Sequence, residues 1–244
     1  MNKKLVSIDF WDTRVIAGSG SEKRNKIRAD AIMEVAEKHN LQLTEKKLKK
    51  VYEKLSLQFH DIWFNEHRTL PPETILRTYT GELGMTITDS ELEYLLVEYE
   101  RSFIESPPEL AKNASAVIPE LSAKYHLAII SDTMVTPGKT LCKFLDSKGL
   151  LKHFSSFLFS DEAGYSKPDK RAFQKVLAEC ACEPGSSSHI GDRLNTDIAG
   201  AKSVGMKAAL FTGIADRSSE LNGTYPRPDF IFPSWIKAGK VLLA

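Results

Sequence analysis

Long apolar runs are what this chain of 244 residues has least of: none approaches the ~20 residues needed to cross a bilayer. Cysteine is also scarce. Cys142, Cys180 and Cys182 are an odd number in a chain this size, which argues against a disulfide framework and for reduced thiols in the cytoplasm. Cys180-Ala181-Cys182 with His189 matches no zinc spacing and reads as buried small apolar residues. Neither sign of charge dominates: 33 Lys and Arg stand against 32 Asp and Glu. A formal net charge of +1 gives no overall drive toward nucleic acid or an anionic membrane. The basic run Lys46–Lys50 has no aromatic platform beside it and reads as a solvated helix face. Internal repeats and low-complexity segments are missing too. The start, Met1-Asn2-Lys3-Lys4-Leu5, is basic, but its apolar stretch ends at Asp9, which does not fit a signal peptide. These features point to a globular protein with no membrane or nucleic-acid partner; they set no oligomeric state.

What is there begins at Leu5-Val6-Ser7-Ile8-Asp9-Phe10-Trp11-Asp12-Thr13. A short apolar run bounded by polar residues reads as a buried strand, with Asp9 at its carboxyl end. Open α/β sheets hold their ligands at that edge. Arg14 to Ser21 then carries Gly18 and Gly20, a flexible turn suited to a hinge.

From about Glu22 to about Glu105 apolar residues recur at helical spacing and no strand pattern is visible. Ile27, Ile32, Val35 and Ala36 mark one helix. Thr44 caps a second, with Leu48, Val51, Leu55 and Phe59 on one face. Pro71-Pro72-Glu73 opens a third and Thr88-Asp89-Ser90-Glu91 a fourth. Within the second, Phe59 to Arg68 is rich in aromatic and ionisable groups. It either faces a substrate or packs Phe59, Ile62 and Trp63 inward with His60 and His67 in solvent.

After Ser106-Pro107-Pro108 the texture becomes α/β. A helix is predicted over Glu109 to Lys124, with Pro119 a kink or boundary. Strands are predicted at Leu127–Ile130, Phe157–Phe159, Ser188–Ile190, Ala208–Phe211 and Phe230–Phe232. Helices are predicted at Gly138–Lys148, Lys170–Glu179 and Thr196–Val204. Alternation of this kind implies a doubly wound parallel sheet. The expected division is a core of residues 1–17 and 107–244 with an inserted all-α cap at 18–106.

Four predicted strand ends carry polar groups: Asp9; Ser131 with Asp132; Lys167 in Ser166-Lys167-Pro168, with the proline near the first helical position; and Gly191-Asp192, followed by Asp197. Gathered on one edge, Asp9, Asp192 and Asp197 repel one another and need a cation. Oxygen-only ligands favour Mg²⁺, which keeps its waters and takes a phosphate oxygen. Lys167 supplies a point charge and Ser131 a hydroxyl for a phosphoryl group, and Asp9 is a candidate nucleophile. Asp132 either bonds locally in a turn or touches substrate.

The order and spacing of these groups resemble the haloacid dehalogenase-like hydrolase superfamily. Its four motifs are matched by Asp9 with Thr13, by Ser131, by Lys167, and by Gly191-Asp192 with Asp197. The run Ile198-Ala199-Gly200-Ala201 that follows is similar as well. The resemblance implies a Rossmann-like core and a small phosphorylated substrate cleaved with Mg²⁺ through an aspartyl-phosphate on Asp9. It implies metal ligation by Asp9, Asp192 and the Trp11 carbonyl, with Asp197 orienting the metal's waters. Family phosphatases carry a second Asp two residues after the nucleophile as acid–base. Here Trp11 stands there and Asp12 follows one residue late. Three readings stay open: Asp12 reaches the site as the acid–base; Trp11 serves another hydrolytic chemistry; or the site binds a phosphate ligand with little turnover. Family dehalogenases need no Mg²⁺, so Asp192 and Asp197 argue against dehalogenation. A phosphonatase route needs a cap lysine, and the insertion offers many.

Overall fold

Leu5, Val6 and Ile8 divide between the two faces of β1 (Lys4–Ile8), as the period of two in a strand requires. The computed structural model describes residues 4–244, so Met1, Asn2 and Lys3 of the basic start lie outside the described residues. From β1 the chain passes through β2 (Val15–Ile16) into four helices, α1 (Ser21–Lys38), α2 (Glu45–Glu66), α3 (Pro72–Glu82) and α4 (Asp89–Glu105). It returns through β3 (Glu109–Leu110) to α5 (Ala114–Lys124), β4 (Tyr125–Ser131), α6 (Gly138–Ser147), β5 (Ser156–Phe159) and α7 (Ser160–Ala163). Then come α8 (Lys170–Glu179), β6 (Ser188–Gly191), α9 (Ala199–Ser203), β7 (Lys207–Phe211), β8 (Phe230–Phe232) and α10 (Trp235–Leu243).

Six of the described strands form one sheet in the order β5-β4-β1-β6-β7-β8, every neighbouring pair parallel. Ile8 is in register with Ile129 on one side and Ile190 on the other. From β1 the chain builds outward through β4 and β5, then crosses back to place β6 on the opposite side. β1 and β6 therefore flank the switch point, where a crevice opens beyond their carboxyl ends.

Both faces of the sheet are covered, which suits strands that are apolar on both sides. Val6, Ile8, Leu127 and Ile129 pack with α5, α6 and α10 on one face; Leu5, Ala128 and Ile130 pack with α8 and α9 on the other. The predicted parallel α/β core is thus observed, with β1 inside it.

The four helices bury a separate cluster that includes Ile32, Val35, Leu48, Leu55, Leu76 and Leu95. Thr44 Oγ1 accepts from the Lys47 amide, and Thr88 with Glu91 forms a reciprocal capping box. The chain enters and leaves this group through a narrow neck. β2 and β3 pair antiparallel there, Val15 opposite Leu110 and Ile16 opposite Glu109. Arg24 donates to the carbonyls of Ala17, Ser19 and Ser106, tying the two passes together. Gly20 has φ +66°, and a Cβ there would come within 2.7 Å of Ser106 Oγ.

Three local expectations need correction. Glu109–Leu110 is strand, and the helix predicted from Glu109 starts at Ala114. Pro168 precedes the helix, and Asp169 caps α8 by accepting from the Arg171 amide. The segment predicted as a helix from Thr196 begins with a π-turn over Leu194–Ile198 before α9.

Candidate functional site

Asp9 follows β1 directly, and its amide donates to Ile190 O at 2.9 Å, so its backbone is pinned to β6. Its carbonyl accepts from Arg14 Nε at 3.0 Å. The chain then folds back on itself, with the amides of Arg14 and Val15 both donating to Phe10 O. Asp12 takes the left-handed turn position (φ 49°), which aspartate tolerates better than most residues. Its Oδ1 accepts from the Ala17 amide at 3.0 Å, and among the described residues no donor reaches Oδ2. The Trp11 ring packs edge-on against Phe10 and Phe103.

Lys167 is 2 % exposed and comes from the loop before α8. Its ammonium lies 2.6 Å from Asp9 Oδ1 and 2.7 Å from Asp197 Oδ1. Burial alone would lower the lysine pKa, but Asp197, Asp9 and Asp132 together hold it above the ordinary range. Burial and the Asp197 charge push Asp9 upward against the pull of Lys167. For Asp197, burial is outweighed by Lys167 and His189, which hold it below the usual range.

Asp197 was expected to face a cation. Instead both of its oxygens rest on protein donors: Oδ1 on Lys167 and His189 Nε2, Oδ2 on the Arg193 amide. Gly191 makes room for this packing, since a Cβ there would sit 2.2 Å from Asp197 Cγ. Asp192 is nearby and buried, with Oδ2 accepting from Arg217 Nε at 3.0 Å. Burial, then Asp197 and Asp9, push its carboxyl up to about 7.

Ser131 Oγ is buried without a hydrogen-bond partner. Asp132 accepts from the Lys167 amide on Oδ1 and from Trp63 Nε1 on Oδ2, at 3.0 and 2.9 Å. Trp63 belongs to α2, so one indole N–H ties the helical group to the sheet edge. Arg193 lies over the same indole, 5.3 Å from its centroid. A cleft of about 330 Å³ opens between them, with Asp9, Asp12, Lys167, Asp192 and Asp197 on one side and Phe59, His60 and Trp63 on the other. Of the two readings for the Phe59–Arg68 segment, His60 and Trp63 follow the one that faces the cleft, while Phe59 both lines the cleft and packs against the helical core.

Asp9, Trp11, Asp12, Asp132, Lys167, Asp192 and Asp197 therefore share one cleft, and Ser131 ends the neighbouring strand β4. Arg217, Arg14 and the buried His189 do not line the cleft but bond to residues that do, and they were not anticipated in that role. Arg217 comes from a loop with no periodicity, and nothing local marks it. His189 could have been found, because a histidine inside an apolar strand three residues before Asp192 needs a polar partner.

The donor set can be tested against Mg²⁺. Among the described residues no three His, Cys, Asp or Glu side chains are grouped to hold a metal. Two carboxylates are in reach, however, and among the described residues no donor reaches Asp9 Oδ2 or Asp192 Oδ1. Few protein oxygens, with waters completing the shell, is the pattern Mg²⁺ favours. Burial is the larger cause of the raised Asp192 pKa, and the Asp197 and Asp9 charges add to it; a cation would relieve that second part.

Comparison with known proteins agrees with this fold. The 2-haloacid dehalogenase of Pseudomonas syringae pv. tomato superposes with a TM-score of 0.74 at 19% identity, covering 99% of this chain and 98% of that one. The HAD hydrolase YfnB of Bacillus subtilis, solved bound to magnesium, superposes at 0.66 and 20% identity, covering 100% of both chains. The glyceraldehyde 3-phosphate phosphatase of Methanothermobacter thermautotrophicus is 34% identical over 40% of this chain and 42% of its own length. The chain spans under half the length of the curated relatives it matches. A family profile described as haloacid dehalogenase-like hydrolase matches residues 25–211, starting after Asp9. With most of the chain matched and the fold shared end to end, the chain belongs to the haloacid dehalogenase-like hydrolases.

Proposed function

We propose that this protein is a Mg²⁺-dependent phosphatase acting on a small phosphorylated metabolite. The observation that carries the reading is Lys167 bridging Asp9 and Asp197 beside Asp192, at the sheet's switch point. That arrangement offers a buried nucleophile, a fixed positive charge and spare carboxylate oxygens within one cleft. Phosphatase-named relatives and a magnesium-bound neighbour in fold support it.

Asp9 attacks phosphorus to form an aspartyl-phosphate as the bond to the leaving oxygen breaks. Asp12 gives that oxygen its proton, then takes one from the water that cleaves the acyl-phosphate and frees Asp9. Lys167 and the unpartnered Ser131 hydroxyl hold the phosphoryl oxygens, and Asp132 fixes the Lys167 backbone. Asp197 positions Lys167. Asp9, Asp192 and the Trp11 carbonyl would hold Mg²⁺, which supplies charge neutralisation at the phosphoryl group. Residues 18–106 act as a cap that excludes water, over a core of 1–17 and 107–244. An odd number of cysteines, three in the chain, suits the reducing cytoplasm.

A second reading, a phosphate-ligand binder with slow turnover, is favoured by Trp11 at the usual acid–base position and by the Asp12 bond to Ala17. Phosphate release from an aryl phosphate separates the two, with and without Mg²⁺, for the wild type, Asp9→Asn and Asp12→Asn. Mg²⁺-dependent release lost in both variants supports the phosphatase. No release from the wild type supports the binder.

A further inference from the structure

The cleft is floored by charge, but its far wall is made of rings. On α2, Tyr52, Ser56, Phe59 and Trp63 recur at i, i+4, i+7 and i+11, so one face of this helix turns toward the cleft. His60 joins them from the adjacent position, and Trp11 and Met134 line the cleft from the sheet side. Tyr52 is 62 % exposed, an aromatic ring facing water on a helix whose neighbouring positions are Lys49, Lys50, Glu53 and Lys54. The family's need to hold a phosphoryl group does not account for such a wall.

Two of the polar groups beside these rings are already engaged with them. Asp132 accepts from Trp63 and from Lys167, and Arg193 lies on the Trp63 ring. A leaving group with several hydroxyls would lay part of its polar surface on ring faces that offer no hydrogen bond, an unfavourable exchange for each hydroxyl left unmet. A flat ring would gain stacking and apolar contact without that loss. The row of rings continues outward, His60 stacking on Phe64 with centroids 5.8 Å apart. Beyond it lies a second cavity of about 240 Å³ that shares His60, Trp63 and Arg193 with the cleft and adds Asn195, Asn222 and Glu220. It offers hydrogen bonds to the polar edge of a heterocycle.

We propose that the alcohol released by this enzyme carries a planar aromatic or heteroaromatic ring, bound against Tyr52, Phe59 and Trp63. The inference rests on the phosphatase reading for the reaction but not for the ring site, so the test has a binding arm and a turnover arm.

For turnover, kcat/KM is compared with Mg²⁺ present for 2-phenylethyl phosphate, uridine 5′-monophosphate and glycerol 3-phosphate. All three are primary alkyl esters, so differences in leaving-group reactivity are small. At least one ring ester should exceed glycerol 3-phosphate by about tenfold or more, the scale of one stacked ring. Which of the two leads tells a simple aryl group from a nucleoside. Phe59→Leu, which keeps apolar bulk but not the ring, should narrow the ratio severalfold. For binding, Asp9→Asn is titrated calorimetrically with the same esters and should show the same order. Preference for glycerol 3-phosphate in both arms, or a ratio unmoved by Phe59→Leu, overturns the ring site. Ring-selective binding without phosphate release from any ester by the wild type supports the ring site and overturns the phosphatase reading alone.

Discussion

Arg217 donates its Nε–H to Asp192 Oδ2 across 3.0 Å, so a fixed cation already shares the carboxylate proposed to hold Mg²⁺. The guanidinium approaches one oxygen and leaves the other. A positive charge at that distance tames Asp192 but also repels an incoming metal. Arg217→Ala should therefore tighten Mg²⁺ binding, lowering the half-saturating concentration about fivefold, the worth of ~1 kcal/mol of repulsion near a protein surface. Titration of phosphate release against Mg²⁺ measures it. An unchanged or higher midpoint would show that Arg217 organises the site instead of competing for it.

Lys167 is the sole ammonium between Asp9 and Asp197 among the described residues. Lys167→Met keeps the stem but strands two buried carboxylates. Removing one partner of a buried ion pair costs ~3–5 kcal/mol. Urea unfolding should show a loss on that scale, and adding Asp197→Asn should recover part of it, because the two sites share one interaction. Equal losses in the single and double variants would mean the bridge contributes little.

The raised pKa of Asp192, about 7 against an ordinary 3.8, sets a pH dependence for the metal-free protein. Between these values the folded state holds a proton that the unfolded state has released. Stability therefore falls as pH rises from ~4 through ~7, and the buried Asp9, also raised, acts in the same sense. Asp197, held low, works the other way, and only below its ordinary range. Thermal melts in EDTA should thus give a lower Tm at pH 8 than at pH 5. Asp192→Asn should flatten the slope, and Mg²⁺ should stabilise the wild type more at pH 8 than at pH 5. A Tm that climbs across this window in EDTA would contradict the assignment.

Asp12 occupies a left-handed turn position and caps it through Ala17. Asp12→Asn preserves both the turn preference and the acceptor oxygen while removing the titratable proton. If Asp12 is the acid–base, kcat falls ~10²–10⁴-fold with Tm nearly unchanged. Asp12→Gly relieves the backbone but loses the cap, so it should cost stability as well as rate. Asn retaining full activity would leave Asp12 as a turn residue only.

Asp9, Ser131, Lys167 and Asp192 were legible because each interrupts or follows an apolar run at a place where parallel sheets expose their carboxyl ends. Local physics suffices there. It fails where a partner lies far along the chain. Glu109 and Leu110 follow two prolines and precede a helix, so they extend a helical pattern until Val15 and Ile16 are known to lie opposite. Arg217 has no periodic context, and its meaning depends on Asp192. Asp197 was legible as a site residue but not in its partners. A carboxylate five residues after Asp192 looks like a cation ligand until Lys167, His189 and the Arg193 amide are found to fill both its oxygens. Arg14 is hidden for the same reason: only the folded chain shows its guanidinium against the Phe10 and Phe154 rings with Nε on the Asp9 carbonyl.

Ile16 lies opposite Glu109 in an antiparallel pair, and Arg24 ties the two passes just beyond it. The entrance and exit of the helical group are thus already the two arms of a hairpin. A tight turn could close them without re-threading the sheet. A longer, shorter or wholly different set of helices could be spliced into the same opening as one contiguous stretch of gene. Asp9, Lys167 and Asp192 would keep their places through such an exchange while the ring-bearing wall opposite them was replaced. In that sense the neck joins two separable parts: the sheet edge proposed to carry the reaction and the helices proposed to choose what it acts on.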